Sequence, residues 1–228
     1  MPARELFPVV GDWAVLAGDD LIAVLPRASA VRRGRGPDDV RGEVLAANPD
    51  VVLVVLAFSP DLTPEPVERM LALAAASGAD PVLVLSQVDL APDGAVLRSV
   101  LADLAVLAEN CPGTPVVGVS TVPGHPGEAG LPRLRRLLPV ATTAAVVGPP
   151  GSGKTALVDA LAGTGSGSGL VLLPGGGVLL DTPGCAAGEP GTDADWLAER
   201  YLTRTRAASR ARWRAGPRGG RRPLAGGA

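Results

Sequence analysis

The sequence predicts an α/β protein built around a mostly parallel sheet, and three observations carry that prediction. Short runs of aliphatic, largely β-branched residues recur at 51–58, 81–86, 115–120 and 143–148. Between them lie segments with apolar residues at helical spacing. Glycine and proline, 30 and 23 of the 228 residues, mark the joins. Runs apolar on both faces belong to strands covered on both sides. Strand and helix alternating in this rhythm close right-handed crossovers.

Taken in order, 9–25 (VVGDWAVLAGDDLIAVL) reads as two short strands joined by the turn Gly18-Asp19-Asp20. A polar linker follows near 34–42, and VVLVVLAF at 51–58 reads as a buried strand. Pro64 to Ser77 places Val67, Met70, Leu71 and Ala74 at helical spacing, with Gly78 as the stop signal. The strand PVLVLS (81–86) precedes a helix near 93–109, and PVVGVS (115–120) precedes one near 130–138. TAAVVG (143–148) runs into a glycine-rich turn and a helix over 154–162, and 163–169 (GTGSGSG) reads as a loop of low complexity. A last strand covers 175–181, and a helix from about Asp193 to Arg214 has Trp196, Leu197, Tyr201 and Leu202 on one face.

Composition narrows the class. The 46% hydrophobic content with 3% aromatic implies a core of Val, Leu and Ala. The longest apolar run is too short to cross a membrane, and the N-terminus has no basic region followed by a hydrophobic stretch. Cys111 and Cys185 have neither metal-ligand nor disulfide-framework spacing, so a soluble cytoplasmic protein is expected. Net charge is −2, yet nine arginines and no acidic residue follow from Arg200 onward, and Arg27, Arg32, Arg33, Arg35 and Arg41 cluster near the start. Such clusters fit a nucleic-acid partner. The plainer alternative is a solvated helix and tail.

Residues 148–155 (GPPGSGKT) match the phosphate-loop pattern G-x-x-x-x-G-K-[ST]. Gly148, Gly151 and Gly153 allow the backbone to wrap an anion at a helix N-terminus, with Pro149, Pro150, Ser152 and Ala156 completing the stretch. Lys154 is the only lysine in the chain, against twenty arginines. A compact ammonium reaches β- and γ-phosphates where a planar guanidinium does not fit. Thr155 offers a hydroxyl to Mg²⁺.

DTPG (181–184) ends a hydrophobic strand downstream, with Asp181 placed for the Mg²⁺ shell and the Gly184 amide for the γ-phosphate. SQVD (86–89) ends an earlier strand. There Asp89 can accept both guanine N1–H and the N2 amino group, a pair adenine does not offer. Ser86 and Gln87 flank the base site, and Gln87 stands where guanine-binding proteins place a lysine over the ring face. Asp89 also reads as a turn residue before a helix. GVS (118–120) supplies a backbone contact to the base near Ser120. All four elements lie at carboxyl ends of predicted strands, where open α/β sheets hold ligands. Their order, with base-reading elements before the phosphate loop and DTPG after it, is that of a circularly permuted GTPase domain.

This order, with VGDW (10–13), VLPR (24–27), VLAANPD (44–50) and LPGGGVLLDTPG (173–184), resembles the ribosome small-subunit-dependent GTPase A family, RsgA or YjeQ. The likeness covers roughly residues 6–186. It implies a GTP- and Mg²⁺-dependent GTPase that binds the small ribosomal subunit and its 16S rRNA, assists subunit biogenesis and works as a monomer off the membrane. It also implies a truncated OB-fold-like segment over 1–42, the permuted GTPase domain over 43–188 and a basic helix and tail over 189–228. The chain departs from the family pattern in several places. Lys154 and Asp181 are only 27 positions apart, where the family has a longer switch segment with a threonine for the metal, and Thr164 substitutes for it poorly. EPGT (189–192) resembles a zinc-loop EPGC with its cysteine replaced, and no zinc is expected. His125, the sole histidine, lies in a Gly/Pro loop and is expected at the surface.

Three functions stay open at this point. Lys154, Asp181, Gly184 and Asp89 fit a shortened GTPase. The short switch segment favours a guanine-nucleotide-responsive RNA- or ribosome-binding protein that no longer hydrolyses GTP. An adenine-nucleotide phosphotransferase requires Asp89 to be incidental.

Overall fold

The computed structural model describes residues 8–33, 43–163 and 169–182. Its centre is a six-stranded sheet in the order β7-β6-β5-β8-β10-β9, built from β5 (Val51–Ala57), β6 (Asp80–Ser86), β7 (Val116–Gly118), β8 (Thr143–Val147), β9 (Leu170–Leu172) and β10 (Val178–Asp181). Every neighbouring pair is parallel except β10 with β9. Because β5 is sandwiched, its alternate residues feed two cores. Val52, Val54 and Leu56 pack with α1 (Pro64–Ala76) and α2 (Gly94–Ala108). Leu53 and Val55 pack with α3 (Gly130–Arg136) and α4 (Lys154–Ala162).

Local chemistry sets the helix limits. α1 opens with Pro64, whose missing N–H has no helical partner to lose. It is reinforced by the Glu65–Arg69 pair one turn apart and gives way at Gly78, whose φ is +84°. α2 is capped by Asp93, whose carboxylate accepts from the N–H groups of Ala95 and Val96 at 2.7 and 2.8 Å. α4 is different: its N-terminus follows Gly153 with no side-chain cap. The orphan N–H groups of its first turn therefore face whatever fills the loop.

The connections create the crevice. From β5 the chain steps outward through β6 to β7, then returns to the other side of β5 as β8. The loops after β5 and β8 therefore leave in opposite directions. At such a switch point a ligand finds room beyond the carboxyl ends of the strands.

Before the sheet lie two antiparallel pairs, β1 (Ala14–Ala17) with β2 (Asp20–Val24), and β3 (Ala30–Arg33) with β4 (Glu43–Ala47). The sequence reading found the first pair but not the second, whose AVRR and EVLAA carry little strand signal of their own. VGDW and VLPR are fastened by the Asp12 carboxylate, which accepts from Arg27 Nε and Nη2 at 2.7 and 2.6 Å. The guanidinium holds the Asp12 carboxyl below the usual carboxylate range, so this contribution is present near neutrality and fades as pH drops through that lowered value. Asn48 then clasps this unit to the sheet. Its side chain accepts from the Ala28 N–H at 2.8 Å and donates to the Gly11 carbonyl at 3.0 Å. Trp13 and Leu16 stay exposed, at 69% and 61%. Among the described residues, no helix is long and apolar enough to cross a membrane.

Candidate nucleotide site

The glycine-rich turn after β8 is shaped by what lies beneath it. A Cβ on Gly148 would sit 2.2 Å from the Val55 carbonyl oxygen and 2.8 Å from Ser152 Oγ, so no side chain fits there. Gly153 has φ +77°, the left-handed turn that directs the chain into α4. Lys154, 8% exposed, folds back so that Nζ donates to the carbonyls of Gly148 and Pro149, both at 2.8 Å. Its ammonium therefore stands at the loop. Thr155 and Ala156 are exposed in the first turn of α4, and Ser152 is buried.

Asp181 ends β10 in register with Val146 of β8, two residues before Gly148. The next residue, Thr182, is buried and donates its hydroxyl to the Val146 carbonyl at 2.6 Å. This ties the residue after β10 to the strand leading into the phosphate loop. Burial pushes the Asp181 carboxyl up, the Lys154 ammonium pulls it down and Asp159 pushes it up again, with a net rise. Pro149 and Pro150 lie in the turn itself, while Gly184 and Thr164 lie outside the described residues.

The rise at Asp181 has a testable sign. An acid whose pKa is raised by folding stabilises the fold below the ordinary carboxylate range, and that stabilisation is lost as pH rises through the raised value. Asp181→Asn is therefore expected to make the nucleotide-free protein at least as stable as the parent at pH 7, with a flatter pH profile. Melting temperatures of both proteins from pH 4 to 8 test this. A variant clearly less stable at pH 7 would mean that attraction to Lys154 outweighs burial.

The base-reading stretch lies on the other side of the crevice. After Ser86 the chain turns through Gln87 in the left-handed region, φ 55°, into a 3₁₀ turn over Val88–Leu90. Asp89 is half-buried there, and Ser120 Oγ donates to its Oδ1 at 2.7 Å. Ser120 is fully buried, and its hydroxyl also accepts from the Val122 N–H at 3.1 Å, so its direction is fixed. A backbone contact to the base is expected over Gly118–Ser120, where two N–H groups have partners within the fold. The N–H groups of Val119 and Ser120 donate to the carbonyls of Leu85 and Gly127, at 2.8 and 3.1 Å. Ser120 therefore meets Asp89 through its hydroxyl. His125 is half-buried rather than fully at the surface, and its Nδ1 accepts from the Gly127 N–H at 3.0 Å, closing the loop that backs Ser120.

Two further links were missed in the sequence because they join residues far apart in the chain. Ser86 Oγ lies 2.7 Å from the Ser152 carbonyl, and Gln87 Nε2 donates to the Gly151 carbonyl at 3.1 Å. The Gln87 amide thereby reaches the phosphate loop.

Among the described residues, no group of three or more His, Cys, Asp or Glu side chains forms a metal cage. A hard divalent cation fits Thr155 and Asp181 in chemistry, one offering a hydroxyl and the other a half-buried carboxylate whose charge a cation would compensate.

Comparison with known proteins agrees with this geometry. The model of the RsgA GTPase family matches residues 24–167. The small ribosomal subunit biogenesis GTPase RsgA of Streptomyces avermitilis is 38% identical over 196 residues, covering 76% of this chain and 51% of that protein. Its counterpart from Xylella fastidiosa strain M23 is 33% identical over 204 residues, covering 79% and 59%. The chain thus spans between half and three fifths of the length of these curated relatives. The fold matches the crystal structure of YjeQ from Thermotoga maritima with a TM-score of 0.57 at 22% identity, over 96% of this chain and 87% of that one. It also matches YloQ, described as a circularly permuted GTPase, with a TM-score of 0.56 at 17% identity, over 93% and 81%.

Proposed function

Because the chain belongs to the RsgA GTPase family, we propose that it binds GTP with Mg²⁺, hydrolyses it to GDP and phosphate, and acts in small ribosomal subunit biogenesis. The observation that carries this reading is convergence. The phosphate loop with Lys154, the carboxylate of Asp181 and the Ser120-oriented carboxylate of Asp89 meet at one end of one sheet, around its switch point. Residues 148–156 hold the phosphates, Ser86, Gln87, Asp89 and Ser120 form the base side, and Thr155 and Asp181 hold Mg²⁺. The metal would neutralise charge on the phosphate oxygens. Lys154 and the N–H groups at the start of α4 stabilise the charge that grows as water attacks the γ-phosphate in line. Gly184 joins them as the amide that senses that phosphate.

The partner in this reading is the small ribosomal subunit and its 16S rRNA, met in the cytoplasm by a monomer. The chain divides into an N-terminal OB-fold-like segment (1–42), the permuted GTPase domain (43–188) and a basic C-terminal segment (189–228). A second reading, nucleotide-responsive binding to ribosome or RNA without hydrolysis, is favoured by one observation. Only residues 163–169 separate α4 from β9, so little chain is available for a switch that closes on Mg²⁺.

GTP turnover measured with Mg²⁺, with and without small ribosomal subunits, alongside binding of GDP and a non-hydrolysable GTP analogue, separates the two readings. Turnover stimulated by subunits is the expected result. Tight guanine-nucleotide binding with no turnover under either condition establishes the second reading, and no guanine-nucleotide binding at all rejects both.

A further inference from the structure

The loop between β7 and α3 is fastened at one peptide. The Gly127 N–H donates to His125 Nδ1 at 3.0 Å, and the Gly127 carbonyl accepts from the Ser120 N–H at 3.1 Å. A Cβ on Gly127 would sit 2.4 Å from Val88 Cγ2 and 3.1 Å from Ser120 Cβ, so the backbone there lies directly on both residues. Val88 precedes Asp89, and Ser120 donates its hydroxyl to Asp89 Oδ1 at 2.7 Å. His125, the chain's only histidine, therefore holds the outer side of a peptide whose inner side backs the base-reading carboxylate.

The imidazole can do this only when neutral. A ring whose Nδ1 accepts carries its single proton on Nε2. A second proton, on Nδ1, makes both nitrogens donors, and the Gly127 N–H then meets a donor instead of a lone pair. Histidine is the side chain that gains such a proton between pH 8 and 5. The charged groups on the elements around this loop are Asp89 on the 3₁₀ turn, Glu128 on the loop itself, and Arg133, Arg135 and Arg136 on α3. Glu128 Oε2 accepts from the Gly124 N–H at 2.9 Å, and Arg135 donates to the Ala160 carbonyl at 2.7 Å. Neither takes the place of His125 at Gly127.

We infer that His125 is a positioning residue for the base: its neutral imidazole latches Gly127 against Val88 and Ser120, which holds the Asp89 carboxylate in its base-reading direction, and protonation of the ring releases that latch. This role rests on the nucleotide reading above and adds to it a dependence on pH confined to the base end of the ligand. The phosphate end belongs to residues 148–156, on the other side of the crevice.

The test titrates the full chain, His125→Asn and His125→Ala with GDP and with inorganic pyrophosphate from pH 8 to 5.5, with circular dichroism confirming the fold of each. An asparagine side chain accepts from the N–H two residues on and does not titrate, so His125→Asn keeps the latch at every pH. His125→Ala lacks it at every pH. The ligand phosphates take up protons in the same range, so each affinity is compared with that of His125→Asn at the same pH, where this contribution cancels. For GDP the parent is expected to match His125→Asn at pH 8 and to fall about 3- to 10-fold below it at pH 5.5, the size of one lost hydrogen bond. Pyrophosphate is expected to bind both equally throughout, and His125→Ala to bind GDP at the lowered level over the whole range. In the ligand-free proteins the Gly127 and Ser120 amide NMR resonances should move together with pH in the parent and stay in place in His125→Asn. A parent that follows His125→Asn for GDP down to pH 5.5, a pyrophosphate affinity that falls along with that for GDP, or a His125→Ala that matches the parent at pH 8 would overturn the inference. A parent that binds no guanine nucleotide at any pH defeats the nucleotide reading, and the amide resonances then decide the latch by themselves.

Discussion

Lys154→Ala is expected to lower affinity for GTP and GDP by at least about 100-fold, while the protein stays folded. The ammonium bonds the Gly148 and Pro149 carbonyls, and it is the chain's only lysine. Bonds to charged groups contribute about 1.5–3 kcal/mol each, so two lost phosphate contacts account for a factor of that size. Gly148 is buried and Pro149 half-buried, so the variant also gives up about 1–3 kcal/mol of stability for the acceptor left unpaired. Lys154→Arg should not restore binding, since the planar guanidinium is bulkier than the space the ammonium fills. Calorimetric titration with Mg²⁺-GDP reads the effect, and circular dichroism confirms the fold. Undiminished affinity in Lys154→Ala would remove this loop from the nucleotide site.

The second large effect is on base selection. Asp89→Asn is expected to weaken GTP by about 100-fold or more and to strengthen xanthosine triphosphate, narrowing or reversing the preference between them. In the proposed complex the Asp89 carboxylate would accept from guanine N1–H and the N2 amino group. An asparagine amide meets the N2 amino group with its own donors, but it can donate to the carbonyl that xanthine carries there. A site built to pair a polar edge discriminates strongly because the mismatched partner leaves buried groups unpaired. Ser120→Ala is expected to move the same preference in the same direction by a smaller factor, because it frees Asp89 to rotate without removing it. Competition between the two triphosphates for each variant gives the ratio. An unchanged ratio in Asp89→Asn would make Asp89 a turn residue and reopen the adenine reading.

The core strands were legible because their chemistry is local. VVLVVLA is apolar at every position and reads as a strand covered on both faces whatever surrounds it. GPPGSGKT is likewise legible, since the glycines, the lysine and the threonine are adjacent in the chain that forms the turn. What the sequence concealed depends on partners. AVRR and EVLAA become β3 and β4 only by pairing with each other, and LVL becomes β9 only against β10. Three residues after a glycine run carry too little pattern to mark a strand.

The sequence by itself determined the parallel α/β class, the permuted order of the motifs and the phosphate loop, because each is written in contiguous residues with a fixed period or spacing. Only the tertiary structure decided which way side chains at the site turn. Ser120 orients Asp89 across 31 positions of chain, Ser86 and Gln87 reach the phosphate loop across 66 and 64, and Thr182 anchors on Val146 across 36. The first and last of those bonds join the neighbouring pairs β6–β7 and β8–β10, while the Ser86 and Gln87 bonds reach from β6 past β5 to the loop after β8; which strand ends come together follows from sheet order, a property of how the whole chain packs and not of any one segment.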